Sequence, residues 1–225
     1  MVTCGIATLA SREQSFRVVL DHLYPQVDKV YAVLNGYEEI PEWLTLYPKV
    51  VAICGHNNMA DNSKFLFVDQ CEGYFLSWDD DLVMPSGCVE YLKSKVDEYN
   101  CIITLHGKRF GRSTKNYRRD FLFRVHCLRD CIVDVRVQLG GTGCMMFHTK
   151  DFHPSIGDFG EPLMADIWLS AAAAKAGVKI MAVRHTADYL TYIPPVDTPI
   201  WNREHDVEFQ TGVVNNFLKI NSPNY

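Results

Sequence analysis

The chain has 225 residues, 48% of them hydrophobic and 22% charged, with a formal net charge of −5. That length and apolar fraction can bury a substantial core in one globular domain without disulfide staples, and they exclude collagenous and disordered chains. No run approaches the roughly 18 uninterrupted apolar residues of a membrane span, and Met1-Val2-Thr3-Cys4-Gly5 lacks the basic and apolar regions of a signal peptide, so the expected location is the cytoplasm.

Strand-like and helix-like segments alternate along the chain. Cys4 to Leu9 reads as a first strand, and Ser11-Arg12-Glu13-Gln14 as a capping box that opens a helix. Phe16, Val19, Leu20 and Leu23 recur at helical spacing before Pro25. Lys29 to Leu34, ending at Asn35-Gly36, is a second strand and Lys49 to Cys54 a third, while Asn62 to Cys71 fits a helix. Gly73 to Trp78 is a fourth strand, and Ser86 is placed to cap a helix carrying Val89, Leu92 and Val96 on one face. Cys101 to Leu105 is a further strand, as is Cys144 to Phe147 after Gly140-Gly141-Thr142-Gly143. Pro162 suits a first helical turn, Ala171 to Ala174 favour helix, Gly177 suits its left-handed cap, and Val178 to Val183 closes the sheet. From Thr186 onward, through Pro194-Pro195, the pattern is irregular. Strand and helix in alternation predict an α/β fold around a mostly parallel sheet, and no internal repeat interrupts it.

The fourth strand runs directly into Asp79-Asp80-Asp81. At about 5 Å and an effective dielectric of about 20, each pair of ionised carboxylates repels by roughly 3 kcal/mol, so such a cluster calls for a cation. A solvated acidic turn leading into Pro85-Ser86-Gly87 is the plainer alternative. The carboxyl edge of the sheet is also where open α/β folds bind ligands. A second charge feature lies between Lys108 and Arg129, where eight basic residues face one acid, leaving 14 basic and 26 acidic residues elsewhere. Such a patch suits a diphosphate or a polyanionic acceptor, or is an ordinary solvated loop. The eight cysteines lie at irregular spacings without a Cys-x-x-Cys pair, and Cys4, Cys54, Cys101 and Cys144 sit inside apolar runs. Buried reduced thiols are expected, with zinc ligation the lesser alternative.

These residues carry a resemblance to the GT-A glycosyltransferases, especially the family-2-like enzymes, extending from about Cys4 to His185. Asp79-Asp80-Asp81-Leu82 followed by Pro85 is similar to the family's Asp-x-Asp-Leu-x-x-Pro, and Met164-Ala165-Asp166-Ile167-Trp168 stands in place of its base motif. Ala60-Asp61-Asn62-Ser63-Lys64-Phe65 looks like the segment that reaches the donor, and Gly141-Thr142-Gly143 like the acceptor-side glycine turn. The resemblance implies a single GT-A domain over residues 1–225: a nucleotide-sugar-binding half to about residue 100, an acceptor half over about 101–185, and a C-terminal cover segment, 186–225, that includes Trp201.

The same resemblance implies metal-dependent, inverting transfer from a nucleotide sugar, a UDP-sugar being the favoured donor, to an acceptor hydroxyl. A divalent ion, manganese or magnesium, offsets charge building on the departing diphosphate. Asp81 is the first expected ligand and Asp79 the second; His185 stands where some relatives have a third, with a surface histidine the alternative. Asp80 is expected at the ribose or donor sugar, Thr8, Ala10 and Arg12 at the base and ribose, and Lys64 at the diphosphate unless it is merely an exposed helix lysine. Asn35 replaces an acid that many relatives carry, which leaves the base open. Asp166 is the expected general base, unless it only compensates a helix dipole. Acceptor contacts fall to His106, Gly141, Thr142, Arg118 and Arg119, with His148 a further strand-end histidine near the same edge. The acceptor is a glycan or a polyanion such as DNA with hydroxymethylated bases. Two rivals remain: a haloacid-dehalogenase-like phosphatase using Asp79 and Asp81, whose motif normally follows a first strand, and a non-catalytic nucleotide-sugar-binding module.

Overall fold

The structure, a computed structural model, describes residues 1–55, 57–194 and 206–220. In chain order the elements are β1 (Val2–Leu9), α1 (Glu13–Leu23), β2 (Lys29–Asn35), β3 (Val50–Cys54), β4 (Tyr74–Asp79), β5 (Leu82–Val83) and α2 (Cys88–Tyr99). They continue with β6 (Ile102–Thr104), β7 (Gly107–Arg109), β8 (Phe123–Val125), β9 (Val135–Val137), β10 (Leu139–Gly140) and β11 (Cys144–His148). The chain then forms α3 (Ala165–Lys175), β12 (Ile180–Ala182), β13 (Thr191–Tyr192) and α4 (Val207–Ile220).

The central sheet has eight strands in the order β3-β2-β1-β4-β11-β6-β12-β9. Pairing is parallel from β3 to β4 and between β6 and β12, whereas β11 and β9 run antiparallel to their neighbours. The fold is therefore α/β with a mostly parallel sheet, as the alternation predicts. Both faces are covered. Along β4 the two-residue period sends Phe75 to the α3 side, and Leu76 and Trp78 to the core beneath α1 and α2. Burial on both faces is why this strand reads as an unbroken apolar run. β7, β8 and β10 form a separate three-stranded sheet, and β13 pairs with β5. Among the described residues no helix is long and apolar enough to cross a membrane.

Several local expectations are corrected. Ser11 is not the N-cap of α1: a 3₁₀ turn occupies Ala10–Arg12, and Arg12, which makes no side-chain cap, holds that position. Ser86 does not cap α2 either, because a left-handed Gly87 occupies that position. Pro162 precedes α3 by more than a residue, since Met164 is its N-cap. The helix expected over Asn62 to Cys71 is two 3₁₀ segments, Asn57–Phe65 and Val68–Gln70. Ala60 breaks the first with φ +46°, and Ser63 Oγ donates back to the Ala60 carbonyl at 2.6 Å, a local bond that competes with helix. β12 does not close the sheet, because β9 pairs beyond it. His148 lies at the opposite edge from the aspartates, because β11 runs antiparallel and pairs His148 with Tyr74 at the start of β4. The tail is not irregular throughout: α4 packs Val214, Phe217 and Leu218 with Ile167 and Ala174 of α3. Trp201 lies outside the described residues.

Gly5 fixes how the 3₁₀ segment lies on the sheet. A Cβ there would overlap the Lys64 carbonyl oxygen and stand 2.7 Å from the Phe75 ring. Gly5→Ala is expected to destabilise the protein by about 1–3 kcal/mol through overpacking, as measured by urea unfolding. An unchanged midpoint would show that the crossing yields freely.

Candidate functional site

Three parallel strands, β2, β1 and β4, end together. Register pairs Leu9 with Asn35 and Ala7 with Asp79, so Thr8, Asn35 and the aspartates share the carboxyl edge. Asp79, two residues beyond Ser77 and four beyond Phe75, is directed to the α3 face. There Lys64 Nζ donates to Asp79 Oδ1 at 2.6 Å; the Lys64 side chain is 4% exposed and that of Asp79 43%. Although burial opposes the Lys64 charge, Asp79, Asp61 and Asp166 together hold its pKa above the ordinary lysine value. Gly143 makes room for the carboxylate, because a Cβ there would overlap Asp79 Oδ2.

The other two aspartates turn toward α1. Arg12 Nη1 lies 3.3 Å from Asp80 Oδ1 and 3.8 Å from Asp81 Oδ2. Burial raises the Asp80 pKa, with the neighbouring Thr8 and the charge of Arg12 opposing. Asp81 is pushed up to about 8 by burial and by the neighbouring Asp79 and Asp80, with Arg12 and Lys64 opposing. Asp80 Oδ2 is buried without a partner. These crowded carboxylates fit a divalent cation shared with phosphate oxygens. They are not a closed cage: among the described residues no third histidine, cysteine or acidic ligand joins Asp79 and Asp81 in one compact group. The C-terminal arm reaches this point, with the Ile193 amide donating to the Asp81 carbonyl at 2.9 Å.

Asp166 lies in the first turn of α3. Its Oδ1 accepts from both the Thr142 amide and the Thr142 hydroxyl at 2.7 Å. Thr142 is fixed in turn by Ser77, whose hydroxyl donates to the Thr142 carbonyl at 2.6 Å. Lys64 thus stands electrostatically between Asp79 at the end of β4 and Asp166 on α3.

The remaining expected residues distribute unevenly. Asn35 is buried and donates to Ser63 Oγ at 3.3 Å, supporting the 3₁₀ segment, while its Oδ1 has no partner. Ala10 is exposed on the turn before α1. The ring of His106 lies against Gly141 and beside His126, their centroids 4.8 Å apart. His185 is buried, with Nδ1 2.7 Å from the Val183 carbonyl and Nε2 3.3 Å from that of His126, so its ring engages backbone rather than Asp79 or Asp81. Arg118 packs on Tyr117, and Arg119 is exposed.

Sequence reasoning missed Asp61. Its Oδ2 accepts from the Ala165 amide at 3.1 Å, anchoring the start of α3, while Oδ1 is buried without a partner and burial raises its pKa. It also missed Lys108, which burial lowers to about 8 against the charge of Asp166. An acid directly before the Asn62-Ser63-Lys64 run was the available signal for Asp61; Lys108 was indistinguishable from its basic neighbours.

No family model matches this chain, and no curated protein does. Among solved structures, a nucleotidyl transferase from Methanothermobacter thermautotroptrophicus aligns at 11% identity with a TM-score of 0.49, covering 83% of this chain and 88% of that one. A197 from STIV aligns at 12% identity and 0.42, covering 91% and 98%. 4-Diphosphocytidyl-2C-methyl-D-erythritol synthase from Anaerococcus prevotii aligns at 12% identity and 0.44, covering 77% and 75%. These are remote likenesses in chain path, and the chemistry rests on the residues above.

The raised pKa of Asp81 has a definite sign. A carboxyl that holds its proton more tightly when folded contributes stability below its folded pKa and loses it as pH rises from about 4 to about 8. In chelator, Asp81→Asn should therefore gain stability relative to wild type between pH 5 and pH 8, by at most about 1.4 kcal/mol per pH unit. Parallel urea-unfolding profiles for the two proteins would show that Asp81 is not held protonated.

Proposed function

We propose that the protein is a metal-dependent glycosyltransferase that uses a nucleotide sugar, with a UDP-sugar as the first donor to test. The observation that carries this reading is the buried Lys64, bonded to the strand-end Asp79 at 2.6 Å and within the field of the helix-borne Asp166. That arrangement supports a phosphate-and-metal edge and a proton acceptor working side by side.

In this reading Asp79 and Asp81 hold the cation, which when bound offsets the charge of the departing nucleoside diphosphate. Lys64 keeps Asp79 in place and adds positive charge beside the phosphates. Arg12 and Thr8 orient Asp80 toward the ribose or donor sugar, and Asn35 and Ala10 line the neighbouring strand-end edge. Asp166 takes the proton of the acceptor hydroxyl as that oxygen attacks. Because Thr142 occupies Oδ1 twice, Oδ2 is the oxygen available for the proton. Direct attack with a single base inverts the anomeric centre. The segment from Lys108 to Arg129, whose Arg109, Arg112, Arg119 and Arg124 are exposed, serves as the acceptor surface beside Gly141 and Thr142.

Calorimetric titration of UDP with manganese tests the donor site. Wild type should bind only with metal, and Asp81→Asn, which conserves shape but removes ligand charge, should lose that affinity; metal-independent binding unchanged in the variant removes this placement. With an active donor and acceptor pair, Asp166→Asn should lower kcat by about 10²- to 10⁴-fold, and NMR of the product should show the inverted anomer. A retained anomer rules out the single displacement.

Replacing Arg118 and Arg119 together by Ser should weaken binding of a polyanionic acceptor and flatten its salt dependence while leaving UDP affinity intact. Loss of UDP affinity alone would assign these arginines to the donor.

A further inference from the structure

The basic excursion between β7 and β8 is closed at its base by a set of soft ligands unrelated to the aspartates. β7 and β8 are antiparallel, with Gly107 opposite Val125. The next position outward therefore sets His106 across from His126, which explains their ring separation of 4.8 Å. Cys127 follows in the turn and is buried. One ligand atom from each of His106, His126 and Cys127 lies within 4.8 Å of the other two. Zinc bonds to nitrogen at about 2.0–2.1 Å and to sulfur at about 2.3 Å, so tetrahedral ligand atoms stand about 3.3–3.8 Å apart. The observed set needs to close by only about 1 Å to reach that spacing.

We propose that His106, His126 and Cys127 form a zinc site that staples the base of the basic excursion to the sheet edge. A thiolate and two imidazoles supply three of the four tetrahedral positions zinc takes, with water left for the fourth, and are a poor set for the magnesium or manganese that carboxylates prefer. The surroundings hold the ligands in place. The Gly141 amide donates to the His106 carbonyl at 2.7 Å, and the His126 carbonyl faces His185 Nε2 at 3.3 Å. The Leu128 amide, 3.2 Å from His126 Nδ1, is the contact that ligation would relax. Ligation needs Cys127 as thiolate and both imidazoles free of a proton at the ligating nitrogen, so protons compete with the metal at acid pH. His106 lies against Gly141, next to the Thr142 that holds Asp166, so the staple would fix the excursion and the base-bearing loop together.

Cobalt(II) added to chelator-treated full-length protein reads the site directly, because a thiolate ligand gives a sulfur-to-cobalt charge-transfer band in the near ultraviolet. One equivalent of cobalt should produce the band, and zinc should displace it. Cys127→Ser should abolish the band, and His106→Ala or His126→Ala should each weaken cobalt binding by more than about tenfold. Cys88→Ser, at a buried thiol under α2, and Asp81→Asn should leave it unchanged. Absence of the band in wild type, or its survival in Cys127→Ser, overturns the proposal. Should the ligand variants fail to fold, alkylation of wild type decides: zinc should shield Cys127 from iodoacetamide in mapped peptides, and equal labelling with and without zinc overturns it.

Discussion

A buried cation surrounded by carboxylates is the constraint on which the rest of this structure depends. Lys64 is almost wholly withdrawn from water, where an unpaired ammonium would cost several kcal/mol. It keeps its charge because Asp79, Asp61 and Asp166 arrive from three different parts of the chain. The sheet end, the 3₁₀ segment and α3 are therefore held to one another electrostatically as well as by packing. Gly5 and Gly143 leave the room this requires: the first lets the Lys64 backbone cross β1, and the second admits the Asp79 carboxylate.

The carboxylates around this lysine are treated unequally by their surroundings. Asp79 is solvated on one side and paired, Asp81 is crowded by two acids, and Asp61 is spent on the start of α3 with one oxygen left unpartnered. Asp166 has one oxygen engaged twice by Thr142. Such separation of environments is how neighbouring acids come to take different tasks. The strain at Ala60, a non-glycine residue at φ +46°, falls in the segment that delivers Lys64 and Asp61. Strain of this kind persists where the surrounding contacts over-determine the backbone.

The acceptor-side half is organised differently. Short strands β7, β8 and β10 form their own sheet, and α3, α4, Phe110 and Tyr117 share a small core beneath it. Between Lys108 and Arg129 the excursion is also tied by specific bonds, those of Gln138 to Phe110 and of Asn215 to Thr114. A metal staple at its base would add to those ties at the sheet edge.

Local signals determined the α/β class, the first four strands and the helices: apolar runs for the strands, helical repeats for α1 and α2, and the alanine run before Gly177 for α3. The three aspartates were equally legible, since a charged cluster at the end of a buried strand needs no tertiary information to stand out. Tertiary structure decided what local sequence could not encode. The antiparallel direction of β11 carried His148 away from the aspartates, and three-residue strands such as β9 are too short to show a period. A left-handed Gly87 took the cap that Ser86 was expected to supply, and α4, capped by Asp206 through the Phe209 amide at 2.8 Å, is placed by packing on α3. The partners of Lys64 span more than 100 residues of chain, and the pairing of His106 with His126 follows from the register of β7 against β8. Both are long-range consequences of how the sheet closes, and no window of sequence contains them.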